Sequence, residues 1–146
     1  MSQTIEKEII LNLMKEVLTQ ERRLVFAYAY GSFVKEESFR DIDIGIYVKN
    51  RDENPFVISS NIKTQLSLLL KQEGLNITAD HFDVKVINDA PFTFLKRVFK
   101  EGVLLVDNDP DLRTDIVGHV SLKYRECSGL LAEASLTPLF GQREQE

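Results

Sequence analysis

The strongest constraint on the fold is an unbroken alternation from Asp41 to Val48, which sets Ile42, Ile44, Ile46 and Val48 against Asp41, Asp43, Gly45 and Tyr47. Only an extended strand has a side-chain period of two, so this segment predicts a strand with one apolar face toward a core. Asp41 and Asp43 then project from the other face, pointing the same way. His81 to Ile87 alternates again, with Phe82, Val84 and Val86 inward and His81, Asp83 and Lys85 on the opposite face. Leu24 to Tyr30 is an apolar, aromatic-rich run of strand length that stops at Gly31-Ser32, as a buried strand would.

Helical periodicity fills the intervals. Ile5, Ile9, Ile10, Leu13, Met14, Val17 and Leu18 recur at three- and four-residue spacing, which predicts an amphipathic helix over 5–18. Pro55 opens a second helix that Gly74 stops, and Pro91 opens a short one that ends before Gly102, in line with proline at helix starts and glycine past their ends. Val103 to Val106 fits an edge strand. Asp109 and Pro110 then read as the N-cap and first residue of a last helix reaching about Ala134, with Gly118 and Gly129 expected to weaken its continuity. The class is α/β (α+β), a sheet flanked by helices. A length of 146 residues suits one domain, 1–136, followed by a polar tail, 137–146.

Composition removes several functions. A hydrophobic fraction of 43% with 28% charged residues belongs to a folded protein and not to a disordered chain. No apolar run approaches the roughly 20 residues that cross a bilayer, and the N-terminal segment reads as a polar helix and not as an export signal, so a cytoplasmic location is expected. One cysteine, Cys127, and two histidines allow neither an internal disulfide nor a zinc cluster. A net charge of -5 speaks against direct nucleic-acid binding, which needs clustered Lys and Arg to neutralise phosphates. An acidic protein that handles polyanionic nucleotides must mask its own carboxylates, and divalent cations do so.

The acids point to such chemistry. Gly31-Ser32 is followed after eight residues by Asp41-Ile42-Asp43, and a later strand carries Asp83. If that strand pairs alongside, three carboxylates meet on one sheet face, an arrangement tolerated when a cation lies between them. Mg²⁺ commonly takes one or two carboxylates plus phosphate oxygens and water, and two such ions support in-line displacement at phosphorus. Gly31 allows backbone N–H groups to approach a phosphate, and Ser32 adds a hydroxyl. Lys35 and Arg40 read as solvated loop cations and His81 as a structural residue at a strand entry. Tyr47 and Tyr124 read as packing residues, and Arg113 and His119, six apart, as a chance pair on different sides of a helix.

This combination resembles the polymerase-beta-type nucleotidyltransferase superfamily, and at this size its minimal nucleotidyltransferase (MNT) antitoxins of HEPN/MNT toxin–antitoxin systems. The likeness runs from Phe26 to about Val106, including Asp83-Val84-Lys85-Val86-Ile87-Asn88-Asp89-Ala90-Pro91 and Glu101-Gly102-Val103-Leu104. It implies a mixed, mostly antiparallel sheet flanked by helices, and Mg²⁺-dependent transfer of AMP from ATP to a tyrosine hydroxyl of a HEPN ribonuclease toxin. It further implies Gly31 and Ser32 as nucleotide-binding residues and Asp41, Asp43 and Asp83 as catalytic ligands of two metal ions. Assembly as a homo- or hetero-oligomer is compatible with it. The alternatives are an antitoxin that only sequesters its toxin, and a transferase for a small molecule or an RNA end. Phe33-Val34-Lys35-Glu36-Glu37 lacks the glycine usual after the Ser, and Arg40 stands where a Ser often precedes the first Asp, which bears on loop geometry and nucleotide preference.

Overall fold

The structure, a computed structural model, describes the backbone of residues 3–136 and the side chains of residues 6–127; the tail expected over 137–146 lies outside the described residues. Four strands, β1 (Leu24–Tyr30), β2 (Ile42–Val48), β3 (Phe82–Val86) and β4 (Val103–Asp107), form one sheet in the order β3-β2-β1-β4. β1 runs antiparallel to β2 and β4, whereas β2 and β3 are parallel. The sheet is thus mixed and mostly antiparallel. Parallel neighbours need a crossover, and the helix α3 (Pro55–Gln72) supplies it between β2 and β3.

The alternation of β2 divides the molecule into two cores. Ile42, Ile44 and Ile46, all fully buried, join Ala27 and Ala29 of β1 beneath α3 and the N-terminal helix α1 (Gln3–Thr19). Alanines on the central strand let the helical layer approach closely, while Ile10, Met14, Leu18, Ile58, Ile62 and Leu66 fill the volume with no exposed surface. The opposite face holds Phe26, Tyr28 and Ile87 against Leu95 and Val98 of α4 (Phe92–Glu101) and Val120 of α5 (Pro110–Leu136). Tyr47 packs in this second core, stacked on Phe26 at 5.0 Å between ring centroids, so its reading as a packing residue holds.

Helix ends follow the chemistry of their sequence. The side chain of Asn54 accepts from the Phe56 N–H at 2.9 Å just ahead of Pro55, and Asp109 Oδ1 accepts from the Leu112 N–H at 3.1 Å, each satisfying a donor the helix leaves open. Gly74, at φ +81°, ends the α3 segment in a conformation that a side chain resists. Two details depart from expectation. α5 runs unbroken through Gly118 and Gly129; around Gly118, the packing of Ile116 and Val120 with Leu95 and Val98 of α4 outweighs the weak helix propensity of glycine. Ser32–Lys35, read as loop, forms one helical turn, α2, closed by the Gly31 carbonyl accepting from the N–H groups of Val34 and Lys35. A short 3-10 turn, Ala79–His81, leads into β3, where His81 Nδ1 accepts from the Thr78 N–H at 3.1 Å; this is the structural role expected of that histidine.

Candidate active site

β1 ends beside the acids by register. Tyr30 pairs with Asp43 across the antiparallel ladder, and Asp43 pairs with Asp83 across the parallel one. Cα partners on adjacent strands share a sheet face, so Asp43 and Asp83 project together toward the side that carries α4. Asp41 lies one residue before β2 and is exposed. The structure therefore brings Asp43 and Asp83 side by side with Asp41 at the strand mouth. Among the described residues, no group of three or more His, Cys, Asp and Glu side chains is arranged to hold a metal ion.

Gly31 fits here for two physical reasons. Its φ of +82° is a conformation L side chains rarely adopt, and a Cβ at this position would lie 2.5 Å from Asp43 Oδ2. The carboxylate of Asp43 thus occupies the space that a side chain on Gly31 would need. Ser32 opens α2 immediately after, beside Gly31 but not itself lining the space that opens next to Asp43.

The electrostatics are unbalanced. Burial, then Asp83, and to a lesser extent Asp41 push the Asp43 carboxyl above the usual carboxylate range, and Lys85 works in the opposite direction. Lys85 Nζ stands 3.6 Å from Asp83 Oδ2 with both side chains about half exposed, a pairing that water largely screens. The donor set, carboxylate oxygens short of positive charge, suits a hard divalent cation.

A cavity of about 190 Å³ opens beside Asp43. Tyr30, Gly31 and Asp43 line it from the sheet, Lys35 from α2, and Arg97 and Glu101 from α4. Lys35, expected as a solvated loop cation, instead lines the cavity, and Tyr30, Arg97 and Glu101 join it there without having been legible as site residues in the sequence. The signals were present but faint: Lys35 sits three residues past Ser32, one helical turn on, and Arg97 and Glu101 stand four apart on one helix, the spacing of neighbours on a face. Arg40 does not line this cavity.

Tyr30 carries an unusual burden. Its hydroxyl is buried without a hydrogen-bond partner, and burial, then Asp43 and Asp83, push its pKa up to about 12. The ring packs edge-on against Phe94 at 5.5 Å. An unpaired buried hydroxyl costs about 1 kcal/mol or more, so Tyr30→Phe, which keeps the ring, is expected to raise the melting temperature by a few degrees. Thermal unfolding of the purified variant checks this, and a lowered midpoint would contradict the hydroxyl's isolation.

The strand–Gly-Ser–strand–acid arrangement is the one the resemblance to nucleotidyltransferases leads one to expect, and comparison with known families agrees on the family. The model of the family described as polymerase beta, nucleotidyltransferase, matches residues 12–111. The chain belongs to the polymerase-beta nucleotidyltransferase family. Solved structures share the fold. One is a chain of the complex of a tri-AMPylated Shewanella oneidensis HEPN toxin with an MNT antitoxin, at a TM-score of 0.53 and 16% identity over 87% of this chain and 90% of that one. A chain of the MntA–HepT toxin–antitoxin gives 0.53 and 14% over 86% and 90%, and a chain of a toxin–antitoxin with AMP-PNP gives 0.53 and 17% over 81% and 90%. No curated protein matches the sequence. Among the described residues, no helix is long and apolar enough to cross a membrane.

Proposed function

We propose that the protein is an antitoxin of the MNT kind, a Mg²⁺-dependent enzyme that transfers AMP from ATP to a tyrosine hydroxyl of a partner HEPN toxin. The observation that carries this reading is the register that sets Asp43 beside both Gly31 and Asp83 at the mouth of a cavity lined by Lys35 and Arg97. The solved complexes that share the fold hold a HEPN toxin, an AMPylated toxin or AMP-PNP, which supports the choice of partner and nucleotide.

Asp41, Asp43 and Asp83 would hold two Mg²⁺ ions, which neutralise phosphate charge and lower the pKa of an attacking hydroxyl. The chain's own groups do the rest. Gly31 brings backbone N–H groups and Ser32 a hydroxyl to the phosphates. Asp83, on the edge strand β3, faces the acceptor and takes its proton as the tyrosine oxygen bonds to the α-phosphorus. The bond from that phosphorus to the bridging oxygen breaks, and pyrophosphate leaves with the electron pair. AMP remains on the toxin.

The test is incubation of the purified protein with ATP labelled on the α-phosphate, Mg²⁺ and a coexpressed HEPN partner, followed by mass spectrometry of both chains. An added AMP mass on the toxin, absent with Asp83→Asn, is the expected result. A stable complex with no transfer would overturn catalysis and leave sequestration as the means of inhibition. Transfer to an RNA end or a small molecule, with none to the toxin, would keep the chemistry and overturn the acceptor.

A further inference from the structure

The cavity beside Asp43 is smaller than the roughly 300–1,000 Å³ of sites that enclose a whole ligand, so at about 190 Å³ it suits a phosphate chain and leaves the nucleoside outside. A second, open groove of about 470 Å³ adjoins it along α4, and Phe94, Arg97 and Glu101 line both. Arg97 therefore stands at the junction, where a nucleotide's phosphates would pass from one space to the other. Its side chain is exposed and forms no ion pair within 4.0 Å among the described residues. Lys35, across the cavity on α2, is already engaged, with its Nζ 2.6 Å from Glu101 Oε1. Glu101 is held below the ordinary carboxylate range by Lys35 first, with Arg97 and Lys100 adding to it.

We propose that Arg97 is a nucleotide-binding residue that grips the phosphate chain from α4, and that Glu101 is a competing carboxylate which the phosphate displaces from Lys35. The proposal rests on the nucleotidyltransferase reading and names further residues of the same site. Two physical points carry it. A guanidinium offers paired N–H donors in a plane that matches phosphate oxygens. A polyphosphate brings more negative charge to Lys35 than one exposed carboxylate does, so the ion pair of the free protein gives way to the pair with phosphate. Glu101 thus keeps Lys35 over the cavity until a nucleotide arrives.

The signs of the two effects are opposite, which makes the test sharp. Calorimetric titration of the intact protein with a non-hydrolysable ATP analogue and Mg²⁺, without toxin, measures the dissociation constant for each variant. Arg97→Ala is expected to weaken binding by about tenfold or more, the scale of a lost hydrogen bond to a charged group. Arg97→Lys recovers part of the loss, and Glu101→Gln binds several-fold more tightly than wild type because the competitor is gone. Tripolyphosphate as the probe gives the same order, locating the contact on the phosphates. Arg97→Ala is expected to melt with wild type, since the side chain is exposed and forms no ion pair among the described residues. Wild-type affinity in Arg97→Ala, or weakened binding in Glu101→Gln, would overturn the proposal. Failure of the broader reading has a different signature: the variants keep this order with tripolyphosphate, while the wild type transfers no nucleotide. Absence of binding of both probes by wild type would sink the two together.

Discussion

Asp43→Asn removes nucleotide transfer, with a drop on the order of 10²–10³-fold or more, the scale at which one preorganised electrostatic group acts in a transition state. The variant keeps the fold, because Asn is nearly isosteric with Asp and its amide still fits the space left by Gly31. Its stability makes a second, independent readout. Burial and Asp83 raise the native-state pKa of Asp43, so the folded protein favours the protonated form more than the unfolded chain does. The ionised carboxylate consequently costs stability above the folded pKa, and the cost vanishes as pH falls below the unfolded value near 3.8. At neutral pH without divalent cations Asp43→Asn should melt slightly above wild type, by under about 1 kcal/mol because solvent reaches the site. The gap should close toward pH 3. Added Mg²⁺ should raise the wild-type midpoint and leave the variant's unchanged. Equal transfer by the two proteins would remove Asp43 from the mechanism.

Gly102→Ala produces the largest loss of stability expected from so small a change. A Cβ there would lie 2.6 Å from the Val98 carbonyl oxygen and 2.7 Å from that of Ala29. Both are backbone atoms: the first accepts the Gly102 N–H at 2.8 Å to close α4, and the second belongs to β1 at the centre of the sheet. Neither can retreat without separating helix from sheet. The φ of Gly102, -82°, suits any residue, so the cost is steric overpacking and not dihedral strain. It should reach about 3 kcal/mol, or a fall in Tm of roughly 10 °C. Gly118→Ala is the matched control. Nothing lies within 4 Å of its Cβ position, and inside α5 it should stabilise by about 0.5–1 kcal/mol. A midpoint for Gly102→Ala within two degrees of wild type would show that the α4–β1 contact is looser than described.

How much of this was legible in the sequence differs by element. The strands carrying Asp43 and Asp83 were, because each alternates over a full strand with one face in a core. That Asp83 could share a face with Asp41 and Asp43 was legible from the same alternation; the register that sets Asp43 opposite Asp83, and the parallel sense of the pair, were not, because a period of two fixes faces and not partners. α2 was hidden because four residues are too few to display a helical period, and with it went the reason Lys35 reaches the site. Arg97 and Glu101 were hidden for another reason. Their helix declares its inner face through Leu95 and Val98, but what its outer rim overlooks depends on how α4 crosses β1, a relation between elements that no local pattern encodes. The continuity of α5 through Gly118, flanked by the packed Ile116 and Val120, shows tertiary packing overriding intrinsic propensity.

The parallel pairing of β2 with β3 has a bearing on when the protein becomes competent. β1 and β2 are antiparallel and close in sequence, so Gly31, Asp41 and Asp43 assemble from local contacts that form early. Asp83 joins them only when the α3 crossover has brought β3 alongside β2, a less local pairing whose closure is expected to come later. A nascent or partly refolded chain would therefore hold Asp41 and Asp43 in place yet lack Asp83. Completion of the acid cluster is tied to the α3 crossover and not to the hairpin, so recovery of activity during refolding should lag behind recovery of the β1–β2 hairpin.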